Sequence, residues 1–313
     1  SMKSLKNNAP KLYQAQKRST TKEDYKALLL GERTDIESLT VYGGEEASPP
    51  VYGKVYIAIK PTGNTSYSNT AKDDIKSAIL KKSNVVTVIP EIVDPIFYYL
   101  LITTTVNYDP VTLLTNEDTL KTAVNTSISN YFNTDLKKFD QKFRYSKLSQ
   151  DIDNTNDSVR NNKTIIKYQQ RITPATLDTP VTYTLYFSNS LETASVVSTS
   201  FVATDGNTYS LVDDSAGIVK NARTTSGVMD SPVVFFTLPD GSTTQGTIDY
   251  TTGKVILSNF TPYTITDGTI SIKMNVTPLV NNQDITPLRE QILTIDSTDA
   301  TTIVINMVAE TII

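Results

Sequence analysis

Cysteine, histidine and tryptophan are all absent from this 313-residue sequence. Without histidine the commonest general base near neutral pH is missing, and without cysteine so are the best nucleophile and the soft ligands of most zinc sites. Ser-His-Asp, Cys-His and zinc-hydrolase mechanisms are therefore excluded. A carboxylate pair, a Ser-Lys dyad or a hard-cation site is not. Lack of cysteine also means no disulfide framework, which suits a reducing cytoplasm without requiring one. No apolar run approaches the ~18 residues that cross a bilayer, and no basic leader with an apolar core opens the sequence.

Charge is present but unevenly placed. Residues 1–174 carry 24 Lys and Arg against 19 Asp and Glu, a net of +5, whereas residues 175–313 carry 5 against 14, a net of −9. The change falls near Ile172–Pro180 and predicts a boundary there, with two surfaces suited to different partners. Seventeen tyrosines stand beside nine phenylalanines. Tyrosine adds rigid buried area while its hydroxyl tolerates residual water, so the balance favours a protein that assembles with others.

Periodicity divides the chain the same way. Thr20 and Thr21 precede a helix in which Glu23 and Asp24 favour the N-terminal dipole and Tyr25, Leu28 and Leu29 form the apolar stripe. Gly43-Gly44 and Pro49-Pro50 break the backbone before a strand over 51–59, in which Val55, Ile57 and Ile59 alternate with polar or small neighbours. A helix is predicted over 70–82, capped by Thr70 with Asp73 and burying Ile75, Ile79 and Leu80; a strand follows at 85–89, then a kink between Pro90 and Pro95. The β-branched and aromatic run 97–106 predicts a central strand. Thr115 with Asp118 opens a helix of about six turns with the stripe Leu120, Val124, Ile128, Phe132 and Leu136. From Val181 onward short Thr- and Val-rich runs alternate with turn signals, including a hairpin over 247–257. The expected fold class is α+β and multidomain: an extended segment and helix (1–33), a mixed sheet with amphipathic helices (34–174) and a Thr-rich all-β domain (175–313), whose last strand can return to the first sheet.

Several clusters invite a chemical reading. Asp151, Asp153 and Asp157 superficially match a calcium loop, but the glycine and terminal glutamate of that loop are missing, so a turn solvated by Asx side chains is expected. The acid pairs Glu45-Glu46, Asp73-Asp74 and Asp213-Asp214 project apart as neighbours in a helix or strand and make no glycosidase pair. Gly43-Gly44 lacks the Gly-Lys-Ser/Thr continuation of a phosphate loop. Lys137, Lys138, Lys142, Arg144 and Lys147, interleaved with Phe139, Phe143 and Tyr145, could track a nucleic acid, but Asp135 and Asp140 interrupt them and the aromatic spacing suits a buried helix stripe. No catalytic, cofactor-binding or metal-binding residue is assigned. The run 301–313 has apolar side chains on both faces of a strand and must be covered, which makes Ile303 and Ile305 the candidate protein-interface residues, with the chain's own core as the competing assignment.

The wording of two stretches goes beyond generic pattern. Ala9, Pro10, Gln14–Gln16, Arg18, Thr21, Asp24 and Tyr25, then Val41–Glu45, Pro49, Pro50, Tyr52–Val55, Ile57 and Ile59, resemble the baseplate J-like proteins of contractile-tailed phages. The likeness continues through 85–95 and 143–150. Among that family it is similar to baseplate wedge subunits of T4-like phages, which are longer at the N-terminus, and Ser1-Met2 looks like an expression scar, so a C-terminal fragment is expected. The resemblance implies a structural role in the virion tail baseplate, made and assembled in the bacterial host cytoplasm. It further implies a homodimer, a ring in the assembled baseplate, and contacts with other wedge subunits such as the gene 7 and gene 53 products. Nucleic acid, membrane and small-molecule substrate are not expected, nor is enzymatic activity or a cofactor. The alternative is a tail-associated receptor-binding adhesin or glycan hydrolase, suggested by the Thr-rich half; the missing tryptophan weighs against it.

Overall fold

The computed structural model describes residues 18–47, 50–81, 88–238, 241–266 and 270–310. The Asn8–Gln16 motif, Pro49, Val85–Thr87, the turns at Asp240 and Asp267-Gly268, and Thr311–Ile313 lie outside the described residues, as does the side chain of Ile79. The class is α+β, with a small mixed sheet near the N-terminus and a large β sheet. The chain forms two compact units, each discontinuous in sequence.

The first unit comprises residues 1–96, 135–142 and 287–293. Helix α1 (Lys22–Glu32) starts where Thr21 accepts the Asp24 N–H at 3.2 Å and Asp24 Oδ2 accepts the Thr21 N–H at 2.9 Å, a reciprocal capping box. Its face bearing Tyr25, Leu28 and Leu29 is buried. Strand β1 (Ile36–Gly43) pairs antiparallel with β2 (Lys54–Pro61), and β3 (Ile89–Val93) lies parallel on the other side of β2. Pro90 thus sits inside a strand rather than at the start of a kink, and it can do so because β3 is an edge. Ile89 donates inward to Gly53 at 2.9 Å, so the next nitrogen, which Pro90 cannot use as a donor, faces outward. Helix α2 is Asn69–Ile75 and passes into a π turn at Lys76–Leu80; its cap is Ser68, which accepts the Ala71 N–H at 3.3 Å, not Thr70. Ile75 and Leu80 join Tyr25, Leu29, Ile57 and Ile59 in the core.

The second unit comprises residues 97–134, 143–286 and 294–313. Strand β4 (Ile96–Tyr108) pairs antiparallel with β5 (Val159–Ile172) along almost its whole length. Helix α3 (Glu117–Asp135) buries the expected stripe Leu120, Val124, Ile128 and Phe132, but Asn116 rather than Thr115 caps it, accepting the Thr119 N–H at 2.8 Å. Helix α4 (Tyr145–Asp153) buries Leu148 and Ile152. Phe132 stacks on Phe143 at 6.2 Å, with Tyr131 edge-on to both.

Beyond β5 the described residues through 275 hold only strands and turns: β6 (Val181–Tyr186), β7 (Val197–Ser198), β8 (Phe201–Val202), β9 (Thr208–Asp213), β10 (Ile218–Thr225), β11 (Val228–Met229), β12 (Thr244–Asp249), β13 (Lys254–Phe260), β14 (Thr264–Ile265) and β15 (Ile272–Val276). The sheet runs β4-β5-β15-β7-β9-β10-β12-β13-β6. The expected hairpin is β12–β13, with Ile248 opposite Val255 and a turn closed by Asp249, which accepts the Thr252 hydroxyl at 2.7 Å. Gly253 there has φ +67°, and a Cβ would sit 2.1 Å from the Phe187 carbonyl oxygen. Two short strands close the chain, β16 (Gln291–Thr294) and β17 (Ile303–Ala309). β17 returns to pair parallel with β4, so the two strands most distant in sequence within this sheet are neighbours.

Candidate interaction surface

The last strand carries the interface residues expected from sequence. Ile303–Ala309 lies in register with Ile102–Tyr108. The Ile102 N–H donates to the Thr302 carbonyl at 2.7 Å, and the Glu310 N–H donates to the Tyr108 carbonyl at 2.8 Å. Those two bonds fix the phase of the parallel ladder: Val304, Asn306 and Val308 turn their N–H and C=O groups toward β4, and Ile303, Ile305, Met307 and Ala309 turn theirs away. Among the described residues no strand takes up the outward row. The side chains divide in the same rhythm. Ile305 is buried and Ile303 half-buried, whereas Val304 and Val308 are 39% and 40% exposed and Asn306 is exposed. Nowhere does Ile303–Ala309 carry a charge or a proline.

The loop before β17 holds the strand in place through a repeated Asp-x-Thr. Asp296 accepts the Thr298 N–H at 2.9 Å and its hydroxyl at 2.6 Å; Asp299 does the same with Thr301, at 3.0 and 2.6 Å. The second oxygen of each carboxylate takes a cation from the sheet, Arg171 on β5 at 2.5 Å and Lys273 on β15 at 2.7 Å. Arg171 also lies 3.8 Å over the Tyr99 ring. Burial pushes the Asp296 carboxyl up, but the bonds from Thr298 and Arg171 outweigh it and hold it down at about 2. Lys273 and then Thr301 hold Asp299 lower than an ordinary aspartate. Beside this loop a groove of about 430 Å³ is lined by α3 residues, among them Asp118, Lys121 and Asn125, and by Ile303 and Ile305. The acids at its rim are already neutralised by Arg171 and Lys273, so the groove has no uncommitted charge from that loop with which to polarise a substrate.

The other sequence candidates are absorbed by local structure. Asp151 and Asp153 lie in the last turn of α4, where Asp153 accepts the Asn162 amide at 2.7 Å and the Asp151 carbonyl accepts Thr155 at 3.1 Å. Among the described residues no group of three Asp, Glu, His or Cys converges as a metal site would require. Glu46 pairs with Lys22 at 2.5 Å; Asp213 accepts the Val196 N–H at 2.8 Å and the Tyr250 hydroxyl at 2.6 Å, while Asp214 pairs with Lys220 at 3.1 Å. Phe139 and Phe143 are buried, as their spacing suggested, but not on a helix: Phe139 lies in a turn where Lys137 and Asp140 both have φ of +62°, and Phe143 forms a β-bridge to Ile285. The turn is fastened within the first unit by the Lys60 ammonium on the Lys137 carbonyl at 3.0 Å and by the Phe139 N–H on Ser38 at 3.1 Å. Gly44 serves packing, since a Cβ there would lie 1.8 Å from the Val51 carbonyl oxygen. No helix among the described residues is long and apolar enough to cross a membrane.

The site consists of outward main chain, exposed valines and paired acids, and comparison with known families supplies a role for the fold that carries it. Residues 21–93 match the family described as baseplate structural protein gp6, C-terminal domain I, and residues 97–171 match baseplate structural protein gp6, C-terminal domain III. The two matches, within residues 21–171, support a C-terminal fragment of gp6 and a structural subunit of a contractile phage baseplate, located in the virion tail. Comparison with curated proteins gave no match. The first family match covers α1 and the β1–β3 sheet; the second covers β4, α3, α4 and nearly all of β5. Within the first, Tyr42 of the Val41–Glu45 motif stacks on Tyr56 of β2 at 5.4 Å, and burial together with Glu290 raises its hydroxyl pKa.

Proposed function

We propose that this chain is a wedge subunit of the contractile tail baseplate that self-associates, as a homodimer and within the baseplate ring, and docks other wedge subunits such as the gene 7 and gene 53 products. The observation that carries this reading is the pair of gp6 domain matches, joined to an edge strand whose outward hydrogen-bonding row and valines are uncovered among the described residues. An edge of that composition invites aggregation unless a partner closes it. The positive first half and acidic second half support docking of dissimilar partners as well. Ile303 and Ile305 enter the interface through their main chain, their side chains facing the groove. The role is mechanical and not enzymatic, uses no metal or organic cofactor, and is exercised in the virion after assembly in the host cytoplasm.

Sedimentation equilibrium on the chain, together with wedge reconstitution, tests the reading. Self-association, and its loss in a folded variant altered in the outward main-chain row, such as Met307→Pro, is the expected result. A chain that stays monomeric at all accessible concentrations and is dispensable for wedge assembly overturns it.

A further inference from the structure

The sequence of β17 is a hydropathic palindrome. About Asn306, Val304 mirrors Val308 and Ile305 mirrors Met307, while Ile303 mirrors Ala309. We propose that β17 pairs antiparallel with β17 of a second copy of this chain across a two-fold axis through Asn306, joining the two large sheets edge to edge. The inference rests on the self-association reading above and adds the surface, the register and the symmetry.

Three independent features fit that axis. A two-fold at residue 306 sets Ile305 opposite Met307 and Ile303 opposite Ala309 of the second copy, and these are the residues whose N–H and C=O groups point outward, so the unfilled row on each copy meets its complement. Asn306 then faces its own symmetry mate in the closer, non-hydrogen-bonded type of pair, where two side-chain amides can bond across the axis. On the solvent face each half-exposed Val304 covers a Val308 of the other copy, so apolar meets apolar and amide meets amide. Axes at 305 or 307 would set Asn306 against a valine and offer no such match. The strand also lacks what normally keeps edges apart: it has no lysine, no proline and no inward charge. An isologous pairing closes after two copies, which limits growth.

The cysteine-free chain allows a clean register test. In the proposed pair the two Asn306 Cα atoms lie about 4.5 Å apart, whereas the two Val304 Cα atoms are about 14 Å apart, four strand residues out of register. Asn306→Cys is therefore expected to form a disulfide-linked dimer under mild oxidation at least about tenfold faster than Val304→Cys, since Cα atoms more than 7 Å apart cannot be bridged without backbone movement. Circular dichroism and melting temperature check that both variants are folded; both substitutions fall on the solvent face. Equal crosslinking of the two, or none by Asn306→Cys in a sample that sedimentation shows to be dimeric, overturns the strand pairing while leaving self-association intact. A monomeric sample without crosslinks overturns both.

Discussion

The edge of the small sheet and the edge of the large one differ in nearly every respect that governs pairing. β3 is five residues long, sets Pro90 where an outward donor would be, and carries Glu91, which pairs with Lys54 at 2.5 Å. β17 is seven residues long, uncharged and free of proline, and carries two half-exposed valines. The first is built to refuse another strand and the second to accept one. Both belong to the same chain and share the same solvent, so the difference cannot be a general tolerance of exposed edges. On the proposed reading it marks the edge at which the chain assembles.

Moving the protection from one edge to the other should break this contrast most strongly. Met307→Pro removes an outward donor without touching the bonds to β4, as Pro90 does in β3, and is expected to abolish self-association by light scattering while the circular dichroism spectrum is retained. A folded Met307→Pro protein that still associates as tightly would show that β17 is not the contact. The next effect is on stability. Asp296→Asn leaves Arg171 without its charge partner beside β17 and is expected to cost about 1.5–3 kcal/mol in urea unfolding, whereas Lys54→Met, at the β3 edge, should leave the unfolding midpoint almost unchanged.

Acid sharpens the same point. Asp296 is held at about 2 in the fold against 3.8 for the ordinary carboxyl, so its contribution is fully present above pH 4 and is lost as pH falls toward 2; the lowered Asp299 acts with the same sign. Protection factors at β17, with intrinsic exchange rates divided out, should therefore fall in that window, and the Asp296→Asn variant should show a shallower pH slope. The smallest expected effect is the converse substitution. Pro90→Val restores a donor to the β3 edge and should produce weak, concentration-dependent association by sedimentation velocity, limited by Glu91 and by the short strand.

Local chemistry was legible where it acts locally. Thr21 with Asp24, the Leu120–Phe132 stripe and the Asp249–Gly253 turn each declare themselves within a few residues, because caps, helical faces and tight turns are satisfied by near neighbours. Errors arose where a distant partner chose between equal local options. Ser68 and Thr70 can both cap α2, and the π turn after Ile75 leaves no compositional mark. Pro90 broke the strand on paper and not in the fold, since its outward nitrogen needs no donor at an edge. The return of the last strand to the first sheet was legible, but its parallel register on β4 and the fastening of its loop by Arg171 and Lys273 link residues too far apart for any periodicity to announce. Ile303 and Ile305 were singled out for apolar side chains, yet what they turn outward is backbone, which composition does not record.

Because β17 pairs with β4, everything between Tyr108 and Ile303 must be synthesised before that pairing can form. Closing so long a span carries a large entropic cost and ranks among the slow events of folding. The strand that completes the sheet is thus the last to arrive, and pulse-labelled hydrogen exchange should find Ile303–Ala309 protected after β12 and β13. On the proposed pairing, the edge that receives a second copy is therefore complete only once β17 has docked on β4.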